Sequence, residues 1–465
     1  MTSERTKKIL IFFMLGLLTA SAFFLRLENF KNSRARSIDE IVYYRMGKQV
    51  LEQGFSGYNT IPYAKELAAS GRPLPDYFFH PIFKYPPLFT YLIAFCLRLF
   101  GGAIQSAYYA SLVPGVLMIP MAYILGSILF GRRTGMIAAL FVFMDPVSII
   151  CSQKVWMESL LAFFTVLSVL FFVQALKKQN KAFFLLSGLG CGLAALTKYP
   201  GILLVPACLV YAWRYDKELL RDRAFVMSLI IPFLLLAPWE IWIYGVYSGH
   251  FLVTQIGVHS SKLHQQETLV KFGLIVPAVA LWYILRRRTI KQEELSAKTD
   301  LRYRIALGMI AATIVFDSLV RALTLTSLPV TSWGQIFYHA PPTFYFGRLL
   351  EFSPVFLFSY SAFFVKDRIS QDNGMILKAV LGVLMVFYVF WGNYQSRYIL
   401  ACIPFFIILG AHMILEVSGR ISRMPRHSVR RNFSITILIL FLAYILIRTN
   451  YINLQLSFPN DLCYF

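Results

Sequence analysis

The sequence predicts an all-α polytopic membrane protein: about 13 membrane-spanning helices, with a long polar and aromatic loop after the first. Three observations predict it. Of 465 residues, 57% are hydrophobic and only 15% are charged, against roughly 45–50% and about 25% in soluble domains. The apolar residues recur in blocks of about 20, the length that crosses a bilayer. The formal net charge of +22 gathers in alternate connections, as the positive-inside rule requires of cytoplasmic loops. That placement explains the basic balance without a nucleic-acid partner. High counts of Phe (42), Tyr (26) and Trp (7) suit lipid-facing surfaces and interfacial belts.

The N-terminus carries Arg5, Lys7 and Lys8 and then an apolar run from Ile9 to Leu25. It resembles a signal peptide without a convincing small-residue cleavage site, so a retained first helix is expected. A loop from Arg26 to about Gln105 should follow on the outside. Within it, short amphipathic helices are expected near 40–52 and 64–69, separated by Gly54, Gly57, Pro62, Gly71 and Pro75. The apolar run 87–100 has only about 14 residues. Counting it as a crossing would turn Arg132-Arg133 and the later basic loops outward, so it is expected to lie in the outer interface. Further spans are expected at about 106–130, 135–150, 157–176, 182–197, 200–213, 224–247, 269–285, 304–323, 350–365, 376–392, 398–416 and 433–449. The inside loops then hold Lys177-Lys178, Arg221-Arg223, Arg286-Arg287-Arg288 and Arg430-Arg431. The chain divides into a membrane unit, 1–416, and a C-terminal loop and helix, 417–465. Six cysteines (Cys96, Cys151, Cys191, Cys208, Cys402, Cys463) mostly lie inside apolar runs without CxxC spacing. They indicate neither a zinc site nor a disulfide frame.

Charged residues beside membrane spans are costly unless hydrated, paired or used. Asp39-Glu40 is the first such place. Asp39 suits a general base that takes a proton from a hydroxyl, with Glu40 positioning it or binding substrate. Equally, Ser37 or Asp39 could cap a helix whose first turn holds Glu40. Tyr43 and Tyr44 follow one turn later. Lys84-Tyr85-Pro86-Pro87 reads as a rigid turn opening a helix, with Lys84 free to meet a phosphate, pair with Asp39 or snorkel. Glu158 falls at the outer end of a long apolar helix, where pairing with Lys154 would be its plain role. Lys198, Arg348 and Arg397, the last followed by Tyr398, break the charge bias by lying outside. They either snorkel to headgroups or hold an anionic ligand. His250, His259, His264 and His339 lie in expected outside loops without ligand spacing, and no GxSxG, HExxH or phosphate-binding glycine loop occurs.

The ordered set Asp39-Glu40-x-x-Tyr43-Tyr44, Tyr85-Pro-Pro-Leu88, Leu129-Phe-Gly-Arg-Arg133, Asp145-Pro146, Glu158, Gly188-x-x-x-Gly192 through Lys198, and Arg397-Tyr398 resembles the GT-C glycosyltransferases. In particular it resembles the branch with protein O-mannosyltransferases and the lipid A aminoarabinose transferase. The resemblance covers about 1–215 and, locally, 390–416. It implies a polyprenyl-phosphate-linked sugar as donor and an inverting transfer to a hydroxyl of a lipid, glycan or protein. It also implies an extracytoplasmic active site, while the charge bias and the compact chain lead us to expect a multi-pass plasma-membrane protein with a cytoplasmic N-terminus. Asp39 maps onto the family's base, Glu158 onto an acid more often Asp, and Lys198 and Arg397 onto positions suited to the lipid phosphate. Some relatives carry a metal-binding acid before the Pro-Pro segment. Phe83-Lys84-Tyr85 stand there here, so no cofactor is assigned and a divalent metal stays open. A transporter or flippase without transfer chemistry is the alternative class, and the absence of internal repeats argues against it.

Overall fold

The computed structural model describes residues 2–32, 37–58, 65–66, 68–69, 71, 85–247, 344–363, 374–390, 395–425 and 429–456. These are helices and connecting turns. Helix α1 (Thr2–Asn32) leads to α2 (Ile38–Gln53), and α3 (Leu88–Phe100) to a single turn at Ile104–Ala107 and then α4 (Tyr109–Phe130). Next come α5 (Arg132–Met144), α6 (Pro146–Ser152), α7 (Glu158–Lys178), α8 (Lys181–Thr197), α9 (Leu204–Tyr215) and α10 (Arg223–Tyr247). After the long undescribed stretch lie α11 (Phe344–Phe352), α12 (Phe356–Ser361), α13 (Met375–Phe390), α14 (Ile403–Ser422) and α15 (Val429–Leu456).

Six of these helices are long and apolar enough to cross a membrane, or seven if the bent pair α5–α6 is one span. Thirteen spans are therefore not reached among the described residues, and the expected spans at 269–285 and 304–323 lie outside them. Several expectations change. The block 135–150 bends by 58° between α5 and α6, because Asp145 caps α6 through the Ser148 amide at 2.7 Å and Pro146 opens it. The block 350–365 is two short helices parted at Ser353-Pro354. The block 200–213 begins as a 3-10 turn at Tyr199–Leu203. Helix α3, at 13 residues, spans about 20 Å, short of a hydrocarbon core of about 30 Å. It packs along α2.

Arg26 also corrects the sequence reading. It does not open the loop: α1 continues past it to Asn32, and its guanidinium is buried. The fork donates to the Gly115 carbonyl at 2.9 Å, to Val142 and Phe143 carbonyls at 3.4 and 3.5 Å, and to Ser148 at 3.4 Å. One arginine thus ties α1 to α4, α5 and α6, using donors that a Lys lacks. Small residues allow close helix packing elsewhere, as in many membrane bundles. A side chain at Gly188 of α8 would collide with the Ser228 backbone of α10, and one at Gly126 of α4 would crowd Gly135 of α5. The large core takes buried residues from every helix, α1 to α15, and a smaller cluster joins α2, α3 and α10 through Val42, Met46, Val50, Tyr58, Ala94, Trp239 and Ile243.

Candidate active site

Four helix ends and one 3-10 turn meet at one end of the bundle. Ser37 caps α2, and its hydroxyl accepts from the Glu40 amide while Glu40 Oε1 accepts from the Ser37 amide at 2.9 Å. This capping box settles the local choice: Ser37 is the cap, and Asp39 and Glu40 occupy the first turn, where the helix dipole favours carboxylates. Successive helical residues point about 100° apart, and the two acids separate. The Glu40 side chain is fully buried and turns to the loop after α6, accepting from the Val155 amide at 3.2 Å and lying 3.9 Å from Lys154 Nζ. The Asp39 side chain stays 39% exposed and meets Arg397 at 2.5 Å.

Arg397 comes from the 3-10 turn Ser396–Ala401 that leads into α14. It lies between two acids, since its Nε is also 3.8 Å from Glu158 Oε1. Glu158 opens α7 and pairs at 2.9 Å with Lys198, the residue that ends α8. Lys154 is therefore paired with Glu40 and not with Glu158, because the turn Gln153–Met157 points the two side chains to different partners. The Lys198 ammonium stands 4.0 Å from the Tyr398 ring centroid and 5.6 Å from that of Tyr85. Tyr43 completes the wall, edge-on to Tyr85 at 5.9 Å and to Phe89 at 5.7 Å. Burial holds the Tyr43 and Tyr85 phenols well above their ordinary 10.0, and the nearby carboxylates add to it. Burial alone would lower Arg397, but Glu158 and then Asp39 outweigh it and raise it further, so the guanidinium stays charged.

The structure thus brings together Asp39, Tyr43, Tyr85, Glu158, Lys198, Arg397 and Tyr398. Tyr44 instead donates to the Gly102 carbonyl at 2.8 Å, fastening α2 to the turn after α3. Arg348 pairs within its own helix with Glu351 at 2.8 Å, both buried. Lys84 and the histidines 250, 259, 264 and 339 lie outside the described residues. Among the described residues no three His, Cys, Asp or Glu side chains gather to hold a metal ion.

Trp156 is the residue that sequence reasoning passed over. Its ring lies 4.5 Å from the Arg397 guanidinium, its indole N–H donates to Ser37 Oγ at 3.0 Å, and Ser111 holds its backbone through two hydrogen bonds. It bridges the α2 cap to the arginine that Asp39 meets. The available signal was an indole beside Glu158 in an otherwise polar turn, which could not indicate its partners.

Residues 84–242 match the family described as dolichyl-phosphate-mannose-protein mannosyltransferase. The match includes Tyr85, Glu158 and Lys198, while Asp39 and Arg397 fall outside it. Protein O-mannosyl-transferase 1 of Rattus norvegicus is 29% identical over 161 residues, 31% of this chain and 22% of that protein. An uncharacterized protein of Aquifex aeolicus is 25% identical over 206 residues, covering 43% of this chain and 41% of its own length. Among solved structures, the archaeal oligosaccharyltransferase AglB from Archaeoglobus fulgidus, in complex with an inhibitory peptide and a dolichol-phosphate, superposes with a TM-score of 0.54. That alignment has 16% identity and covers 97% of this chain and 56% of that one. The chain therefore spans about half of that structure and less than half of either relative. The likeness is one of fold: this is a multi-helix membrane protein of the GT-C fold. Within that fold, residues 84–242, about a third of the chain, are similar to the protein mannosyltransferases.

Proposed function

We propose that this protein is an integral-membrane glycosyltransferase that moves a sugar from a polyprenyl-phosphate donor to an acceptor hydroxyl, with inversion. The observation that carries the reading is the alternating cluster Asp39–Arg397–Glu158–Lys198 at a bundle end. There an exposed carboxylate stands beside two cations that suit a phosphate. The donor brings its own leaving group, so no nucleotide site is required. Asp39 takes the proton of the acceptor hydroxyl as that oxygen bonds to the anomeric carbon. The bond from that carbon to the phosphate oxygen breaks, and polyprenyl phosphate leaves with the extra negative charge. Arg397 and Lys198 stabilise that charge, while Glu158 fixes both cations in place. A lipid tail held in the bilayer and a sugar held at its surface raise the effective concentration of the reacting groups.

The basic alternate loops support a plasma-membrane protein with a cytoplasmic N-terminus and this site on the extracytoplasmic face. Residues 1–416 would form the catalytic unit and 417–465 its C-terminal addition. The acceptor is a lipid, glycan or protein hydroxyl. The test uses purified protein in lipid nanodiscs, a panel of polyprenyl-phosphate sugars and mixed envelope acceptors. Wild-type protein transfers label from one donor, and Asp39→Asn does not. Full transfer by Asp39→Asn would remove the base, and donor-independent solute flux in vesicles would favour a transporter instead.

A further inference from the structure

The bend between α5 and α6 parts backbone groups from their helical partners. In an unbroken helix the carbonyls of Val142, Phe143 and Met144 accept from the amides four residues on. Pro146 has no N–H to offer Val142. The Ser148 amide, which would serve Met144, donates instead to Asp145 Oδ1 at 2.7 Å. Carbonyls left this way in a bent membrane span are costly, because no water replaces the lost donor. Two distant side chains supply donors. Arg26 of α1 reaches the Val142 and Phe143 carbonyls at 3.4 and 3.5 Å. Asn453 of α15 donates its side-chain amide to the Met144 carbonyl at 2.8 Å. Helix α15 is placed to hold that bond. Ile445, Thr449 and Ile452 recur every three or four residues and are buried, so they form its inward face, while Leu446, Ile447, Tyr451 and Leu454 stay exposed. Thr449 also donates to Ser353 Oγ at 2.9 Å, in the turn between α11 and α12.

The bend leads directly into the charged site. Helix α6 has only seven residues, about two helical turns, before the turn 153–157. In that turn Lys154 pairs with Glu40, and the Trp156 ring lies 4.5 Å from the Arg397 guanidinium. Glu158 follows at once. Helix α6 also packs against the 3-10 turn that carries Arg397. A shift at the α5–α6 junction therefore moves, through one short rigid helix, the ring that lies against that arginine. We infer that Asn453 is a positioning residue for the transfer site: by capping the Met144 carbonyl it fixes the α5–α6 junction, and with it the approach of Trp156 to Arg397. Helix α15, which follows the catalytic unit in sequence, thereby supports it in space. The catalytic meaning rests on the transferase reading; the hydrogen bond and the turn it steadies do not.

The experiment compares full-length wild type, Asn453→Leu and Asn453→Gln in lipid nanodiscs. Leu keeps the bulk of Asn without its donor, and Gln keeps the donor. Hydrogen exchange of the amides in 147–157 is followed by mass spectrometry, beside sugar transfer from the polyprenyl-phosphate donor. In Asn453→Leu, exchange in that segment should quicken by about tenfold, the effect of leaving one buried carbonyl unsatisfied, while α7 and α14 exchange as in wild type. Asn453→Gln should stay at the wild-type rate. Transfer should follow the same order, with kcat lowered about tenfold in Leu and recovered in Gln. Unchanged exchange in Asn453→Leu, a rise spread over all helices, or equal behaviour of Leu and Gln would overturn the inference. So would a quickened 147–157 segment with kcat unaltered. Local quickening in Asn453→Leu, recovered in Gln, from a protein whose wild type transfers no sugar would keep the clamp and sink the transferase.

Discussion

Asp39 and Glu40 are neighbours in one helical turn, yet they belong to two different regions. Glu40 faces inward to a clamp of backbone amides and Lys154, with no exposed surface. Asp39 faces the open end of the bundle and pairs with an arginine that a second acid also reaches. The clamp has one arrangement available, because every oxygen of Glu40 is engaged by groups buried with it. The site has more than one, because Arg397 can divide its donors between Asp39 and Glu158. The difference teaches that two adjacent acids need not act as a pair: one can fix the helix while the other meets a partner from far along the chain.

Substitutions at four positions and one titration would break or sharpen that contrast. The largest effect is expected from Asp39→Asn. It should lower kcat for sugar transfer by about 10²–10⁴-fold, the usual contribution of a general base, with an unchanged apparent Tm. Glu40→Ala should do the opposite. It breaks the buried pair with Lys154 and removes the acceptor of the Val155 amide, and breaking a buried pair typically costs about 3–5 kcal/mol, so the apparent Tm in nanodiscs falls sharply. A Glu40→Ala protein as stable as wild type would show that the clamp does not hold the loop.

Trp156→Leu tests the link between the two regions. It removes a guanidinium stack, worth about 0.5–2 kcal/mol, and the bond to Ser37. Activity should fall about tenfold, with Trp156→Phe recovering much of it because the ring face remains. If Phe and Leu behave alike, the stack on Arg397 does not position that arginine. Ser37→Ala should cost about 1 kcal/mol as a lost N-cap, visible as a small Tm shift.

The pH response is the finest probe. The folded phenols of Tyr43 and Tyr85 titrate well above 10.0 because of burial. Below about pH 10 both states are protonated, and these groups leave stability unchanged. Above it the unfolded phenols ionise while the buried ones resist, so stability falls as pH rises. Tyr85→Phe should blunt that alkaline loss, measured by thermal unfolding across pH 8 to 11.

Much of this was legible in the chain. Apolar blocks and basic connections predicted a helical membrane protein, because a bilayer demands long apolar helices regardless of how they pack. Ser37 or Asp39 was legible as a cap with Glu40 in the first turn, because capping partners lie within three residues, and the structure chose Ser37. Asp39, Tyr43, Tyr85, Glu158, Lys198, Arg397 and Tyr398 stood out as charges or aromatics beside span ends, and they do converge. What the chain could not express is partnership across distance. Nothing local says that Arg397 reaches back 358 positions to Asp39, that Lys154 takes Glu40 and leaves Glu158 to Lys198, or that Arg348 pairs within its own helix. Trp156 was missed for the same reason. Hydropathy and capping depend on residues within a few turns and are written in sequence. Pairing of buried charges depends on which helix ends packing brings together, and only the tertiary structure decides that.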